Sequence, residues 1–177
     1  MAETKEKLVS RSRKVAFMGV TSGTGGSGTE TFHRMTKFTD MSKSSNPAEY
    51  SRQYVDEDGE VTDVTGYSPE ISYAFDMYEN NAVHNDIIDI TDNEKMGDDA
   101  VRNIIVVDFT RPVEEQQNQY YAKKRPYAVI PDSEGDSTDA YTYSGTFRNK
   151  GAQEEIKVQS SDGWKTCTEV TDPGVGG

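Results

Sequence analysis

YSPEISYAFDMY, residues 67–78, decides the fold. Tyr67, Pro69, Ile71, Tyr73, Phe75 and Met77 fall on one side of an extended chain. Ser68, Glu70, Ser72, Ala74 and Asp76 fall on the other. Strict alternation of this kind is the period of a strand with one buried face. Working outward, the wider stretch from Gln53 to Glu94 holds twelve acidic residues and no Lys or Arg. Crowded acids repel one another in a compact state. A chain that keeps them beside a well-patterned strand is expected to use the field they create.

Downstream, Asn80 and Asn81 read as the cap of a helix over about 81–94. Val83, Ile87 and Ile90 share one face of it, with Ile88 at its edge, and Asp86, Asp89 and Asp92 face away. Gly97 is expected to end it. Residues 101–110 (VRNIIVVDFT) form the most apolar strand. Residues 116–119 read as a polar turn, and 123–130, 139–147, 154–159 and 164–170 as further strands. Upstream, 15–20 and 31–40 read as two strands of a long hairpin joined by a Gly/Ser/Thr loop. In the second of these, Phe32, Arg34, Thr36 and Phe38 share a face opposite His33, Met35 and Lys37. Residues 42–66 read as a long exposed hairpin or loop that turns at DEDGE, 56–60; excursions of this length are usually functional or disordered.

The resulting organisation is an N-terminal arm over 1–14, a domain over 15–170 and a loose end over 171–177. The fold class is mainly β: an antiparallel sandwich or partly closed barrel with one flanking helix and extended arms. The arm is polar and net basic, and is expected to order against a partner.

Composition narrows the function. The 177 residues carry a net charge of −12, which argues against binding nucleic acid or an anionic membrane through phosphates. No apolar run is long enough to span a bilayer. The first fourteen residues lack the apolar segment of a secretory signal, so synthesis in the cytosol is expected. The single cysteine, Cys167, allows no intrachain disulfide. Only 33% of residues are hydrophobic, which implies a thin core and stability gained from neighbours in an assembly. Ten Tyr and six Phe in patterned positions argue against disorder.

Sequence motifs offer no chemistry. GTGGSG, residues 23–28, satisfies G-x-G-x-x-G, but a strand pattern follows where a dinucleotide site needs a helix N-terminus. Asp56, Asp58 and Glu60 around Gly59, and Asp132, Glu134 and Asp136 around Gly135, miss the EF-hand spacing and read as solvated turns. His33 and His84 come with no nucleophile or metal-ligand pattern. No catalytic residue, cofactor or metal is expected. Trp164, Cys167 and the tyrosines at 67, 73, 141 and 143 read as core or as subunit contacts.

EYSRQYVDEDGEVTDVTGYSPEISYAFDMYENNAVHNDII (49–88), YAVIPDSEGDSTDAYTYSGTFRNKG (127–151) and DGWKT (162–166) together resemble the major tail tube proteins of tailed bacteriophages, in the group common among phages of Firmicutes. The likeness covers most of 14–166. It implies a β-sandwich flanked by a helix, six copies in a ring, inner sheets joined into one barrel, and rings stacked into a hollow tube that conducts the genome. It implies contacts with the next ring from the loop 42–66, the arm 1–14 and the tail 167–177. It further implies a virion protein, made in the host bacterial cytoplasm, whose partners are itself and other tail proteins (tape measure, tail tip, terminator).

In that frame Arg52, Tyr54, Asp56, Glu57 and Asp58 are expected at contacts between subunits. Lys123, Lys124 and Arg125 are expected to meet a neighbour's acidic loop, since opposite charges set register. Glu70 and Asp76 are one candidate pair to face the bore, the polar sides of the C-terminal strands being others; there a like-charged wall cannot hold phosphates and DNA passes without specific binding. Two rivals stay open. One is a monomeric extracellular β-sandwich binding calcium or carbohydrate. The other is a different phage tail component, such as a distal tail or sheath piece.

Overall fold

A computed structural model describes residues 5–22 and 28–171. The expectations for residues 1–4, for most of the Gly-rich loop and for 172–177 fall outside the described residues. The chain divides into two compact units: 1–36, 102–126 and 152–177 make the first, and 37–101 with 127–151 the second.

The first unit contains β1 (Lys14–Ser22), β2 (Thr29–Arg34), β7 (Val101–Pro112), the first half of β8 (Gln119–Glu134), β10 (Glu154–Gln159) and β11 (Thr166–Glu169). They pair in the order β10-β11-β2-β1-β7-β8, and β10 pairs again with β8 from Glu154↔Lys124 to Gln159↔Gln119. The result is a closed six-stranded antiparallel barrel, so closure is complete where the sequence suggested a partial one. Closure removes every edge strand. A six-stranded barrel leaves room only for side chains. Val15, Phe17, Phe32, Ile105, Val107, Ala122, Val158 and Cys167 fill it, with Phe109, Tyr120, Ile156 and Trp164 packed against them. Trp164 stands edge-on to Phe109 and Tyr120, at 5.0 and 5.5 Å between centroids. Burial pushes the Cys167 thiol up to about 12, with Glu169 and Asp162 adding to it.

The second unit contains β3 (Phe38–Ser44), β6 (Glu70–Asp76), β9 (Thr142–Asn149) and the second half of β8, paired β3-β6-β9-β8. Ile71, Tyr73, Phe75, Tyr143, Phe147, Tyr127 and Val129 are its buried residues. The helix α1 (Ala82–Asp92) packs on that face through Val83, His84, Ile87 and Ile90; His84 stacks on Phe75 at 4.2 Å. Asn81 caps the helix by accepting from the Val83 and His84 amides, as its sequence position predicts.

Three sequence boundaries are corrected. Residues 31–40 are not one strand: Lys37 takes a left-handed φ of 64°, and the chain leaves β1's partner β2 to pair as β3 with β6. The alternating run 67–78 is a strand only over Glu70–Asp76, because Tyr67 pairs back with Pro47; Tyr67 and Met77 are exposed. Gly97 does not end the helix. Glu94 does, at φ 48°, with Glu94 N–H donating to Thr91 O and Lys95 N–H to Ile90 O. This is the Schellman closure, here built without glycine.

Candidate assembly surfaces

The excursion at 42–66 is a two-stranded ribbon, β4 (Pro47–Gln53) and β5 (Glu60–Tyr67). The strands pair only with each other among the described residues, and no residue of either is buried. A lone hairpin is marginally stable in water. This one nevertheless exposes Tyr50, Tyr54, Val55, Val61, Val64 and Tyr67. Arg52 donates to the Tyr50 hydroxyl at 2.9 Å on one face of the ribbon. At the tip, Glu57 N–H donates to Tyr54 O and Gln53 to Glu57 O, which turns Asp56, Glu57 and Asp58 outward. Arg52, Tyr54, Asp56, Glu57 and Asp58 thus share one exposed element.

Lys123, Lys124 and Arg125 do not form one patch, because successive residues of a strand point to opposite sides. Lys123 meets Glu155 at 2.6 Å, and Arg111 reaches the same carboxylate at 3.4 Å. The Lys123 hydrogen bond, then Arg111, hold the Glu155 carboxyl below its usual range. Lys124, on the parity of Ala122, lies 5.5 Å over the Phe32 ring and pairs with Glu169. The Nε of Arg125 is buried without a hydrogen-bond partner among the described residues.

The register of the second unit assigns a face to each polar residue. Ser42, Asp40, Glu70, Ser72, Ala74, Asp76, Arg148, Thr146, Ser144 and Thr142 lie opposite the buried face. Most are small and hydroxylated. Asp40 accepts from both Ser42 and Ser72, at 2.7 and 3.0 Å. Glu70 and Asp76 share this face, but they differ. Glu70 lies 3.8 Å from Arg148, its cross-strand neighbour. The sequence reading overlooked Asp40 and Arg148. The break at Lys37 hid the register of β3 against β6 that places Asp40, and Arg148 is placed by the register of β9 against β6.

Acids of the two Gly-centred turns do not gather: among the described residues no three His, Cys, Asp or Glu side chains converge as metal ligands. No helix among them is long and apolar enough to cross a membrane.

No protein-family model and no curated protein matches the chain. Solved structures do. A hybrid solid-state NMR and cryo-EM structure of the SPP1 tail tube aligns at TM-score 0.60 and 15% identity, over 88% of this chain and 81% of that one. A gene transfer agent tail, refined helically with C6 symmetry, aligns at 0.56 and 12%, over 87% and 100%. A native gene transfer agent virion aligns at 0.55 and 11%, over 84% and 98%. The chain therefore has the fold of these tail subunits.

Proposed function

We propose that this chain is the repeating subunit of a phage-type tail tube. Six copies close into a ring, rings stack, and the genome passes through the bore. The role is structural, not enzymatic, and its site is the virion, after synthesis in the host cytoplasm. The observation that carries this reading is the β4–β5 ribbon: apolar, acidic, unburied and paired with no other strand among the described residues, on a fold shared with subunits of assembled tails. Six-fold closure follows the C6 symmetry of one such tail. The polar face of β3-β6-β9-β8 suits the bore. Its hydroxyls and the acids Asp40 and Asp76 offer DNA no cationic hold, and Arg148 is offset by Glu70. In this reading the tape-measure protein occupies the bore before genome release, and tip and terminator proteins close the two ends.

Negative-stain electron microscopy of concentrated protein tests it. Hollow tubes or six-fold rings are expected. Monomers at every concentration, unchanged on adding preformed tail tips, would refute it and return the binding-module reading, which calcium titration then tests.

A further inference from the structure

The first unit carries a groove of about 610 Å³ between the segment before β1 and the barrel wall. That volume lies within the range of ligand pockets, about 300–1,000 Å³. Leu8, Phe109, Pro112 and Tyr120 supply apolar walls, and Lys7 and Arg13 supply two cations; no acid among the described residues lines it. Arg13 also donates to the Phe109 carbonyl, which ties the segment to the wall. Tyr120 stands edge-on to Phe109 at 5.0 Å. Leu8 is 95% exposed, an aliphatic side chain with no cover of its own.

The ribbon tip has the complementary character. Tyr54 and Val55 are exposed, Val55 completely, so neither fills a groove in its own chain. Asp56, Glu57, Asp58 and Glu60 follow with no base among them. The geometry points to a second copy of this chain as the occupant. The Tyr54–Val55 pair enters between Leu8, Pro112 and Tyr120, and the acids of the tip meet Lys7 and Arg13. This inference rests on the tube reading and adds to it the surface that receives the ribbon. An apolar anchor flanked by opposite charges is the arrangement that fixes both seat and register. A head-to-tail contact of this kind leaves a free ribbon at one end and a free groove at the other, so it closes a ring or propagates a filament according to its rotation.

Tubes assembled from a Leu8→Cys/Val55→Cys variant test it, since the native Cys167 is buried. Mild oxidation should give a ladder of covalent dimers, trimers and longer species on non-reducing gels. Neither single variant should give it, and dispersed subunits should not. Tubes that form normally but yield no ladder would overturn the groove assignment and leave the tube reading standing. A variant that gives only an internally linked monomer would overturn it too. If wild-type protein never assembles, both fall together. Charge exchange gives an independent readout. Lys7→Glu alone and Asp58→Lys alone should each raise the critical concentration for tube growth about two- to fivefold, as for an exposed ion pair. The two together should restore it. Ribbon and segment bury nothing, so circular dichroism of each variant should match wild type.

Discussion

Gly145 is the position where one methyl group tests the packing of the second unit. A Cβ built there lies 2.4 Å from the Ile130 carbonyl oxygen, 2.5 Å from the Tyr73 hydroxyl and 2.7 Å from the ring carbon bearing it. Real Cβ atoms essentially never come closer than 3.0 Å, so something must shift. The Ile130 oxygen is backbone, and the Tyr73 ring is held against Phe147 at 4.5 Å. Overpacking of such a core costs about 1–3 kcal/mol. For a chain of this size that lowers the melting temperature by roughly 2–4 °C per kcal/mol. Gly145→Ala is therefore expected to melt several degrees below wild type. Tyr73→Phe carries the opposite sign. The hydroxyl is buried with no hydrogen-bond partner among the described residues, and burial together with Asp132 pushes its pKa far up. A buried hydroxyl left unpaired costs about 1–3 kcal/mol, so its removal should leave stability unchanged or raise it by up to ~1 kcal/mol. Placed on Gly145→Ala, Tyr73→Phe also deletes the 2.5 Å contact. The pair should then couple by about 1 kcal/mol in the favourable direction. Urea unfolding of dilute, unassembled protein measures all four corners of the cycle, read as midpoint shifts at constant slope. Strict additivity, or a loss above ~1 kcal/mol in Tyr73→Phe alone, would refute this account of the site.

Phe75→Asp should leave no folded protein in the same assay, because Phe75 is fully buried and the new carboxylate would have no partner. Deleting residues 50–64 should lower the unfolding midpoint little, since the ribbon buries nothing, yet abolish sedimentable tubes. If the proposed tube places this face around the bore, Glu70→Gln should leave tube assembly intact and slow genome release from assembled particles by uncovering Arg148; release at the wild-type rate would remove that face from the lumen. Asp162 answers to pH. Its carboxyl is drawn down to about 2, first by the Thr166 amide, then by the Thr166 hydroxyl and Ser160. A depressed folded value means the stabilisation is complete above the usual carboxylate range, near 4, and fades as pH falls through about 2. Trp164 fluorescence should hold steady down to about pH 3 and change below it. Asp162→Asn should show the loosened signal at every pH.

Local patterns that depend on near neighbours were legible in the sequence. The cap at Asn81, the stripe Val83–Ile87–Ile90 and the strand Glu154–Gln159 needed only period and turn chemistry. The exposed excursion turning at DEDGE was legible as a hairpin or a loop, and the structure makes it a hairpin. Where one polarity pattern continued across a change of partner, the reading failed. Phe32 and Phe38 keep the same spacing through Lys37, yet pair in different ladders, and no alternation reveals a left-handed residue. Lys123, Lys124 and Arg125 looked like one basic cluster because adjacency in sequence suggests adjacency in space. On a strand it separates them. Closure of the barrel was likewise hidden, since it depends on β10 finding β8 across a long interval of chain.

That closure also fixes when the first unit can finish during synthesis. The sheet of the second unit is complete once residue 149 has left the ribosome. The edge of β2 stays open until Thr166 and Cys167 arrive to pair with His33 and Phe32. Nearly the whole chain must wait with an unsatisfied, aggregation-prone edge, and contacts this distant in sequence form slowly. An incomplete chain would display its acidic ribbon, made by residue 67, without a finished barrel behind it. In the proposed tube, a stalled or proteolysed product of that kind would act as a stopper on the growing polymer it joined.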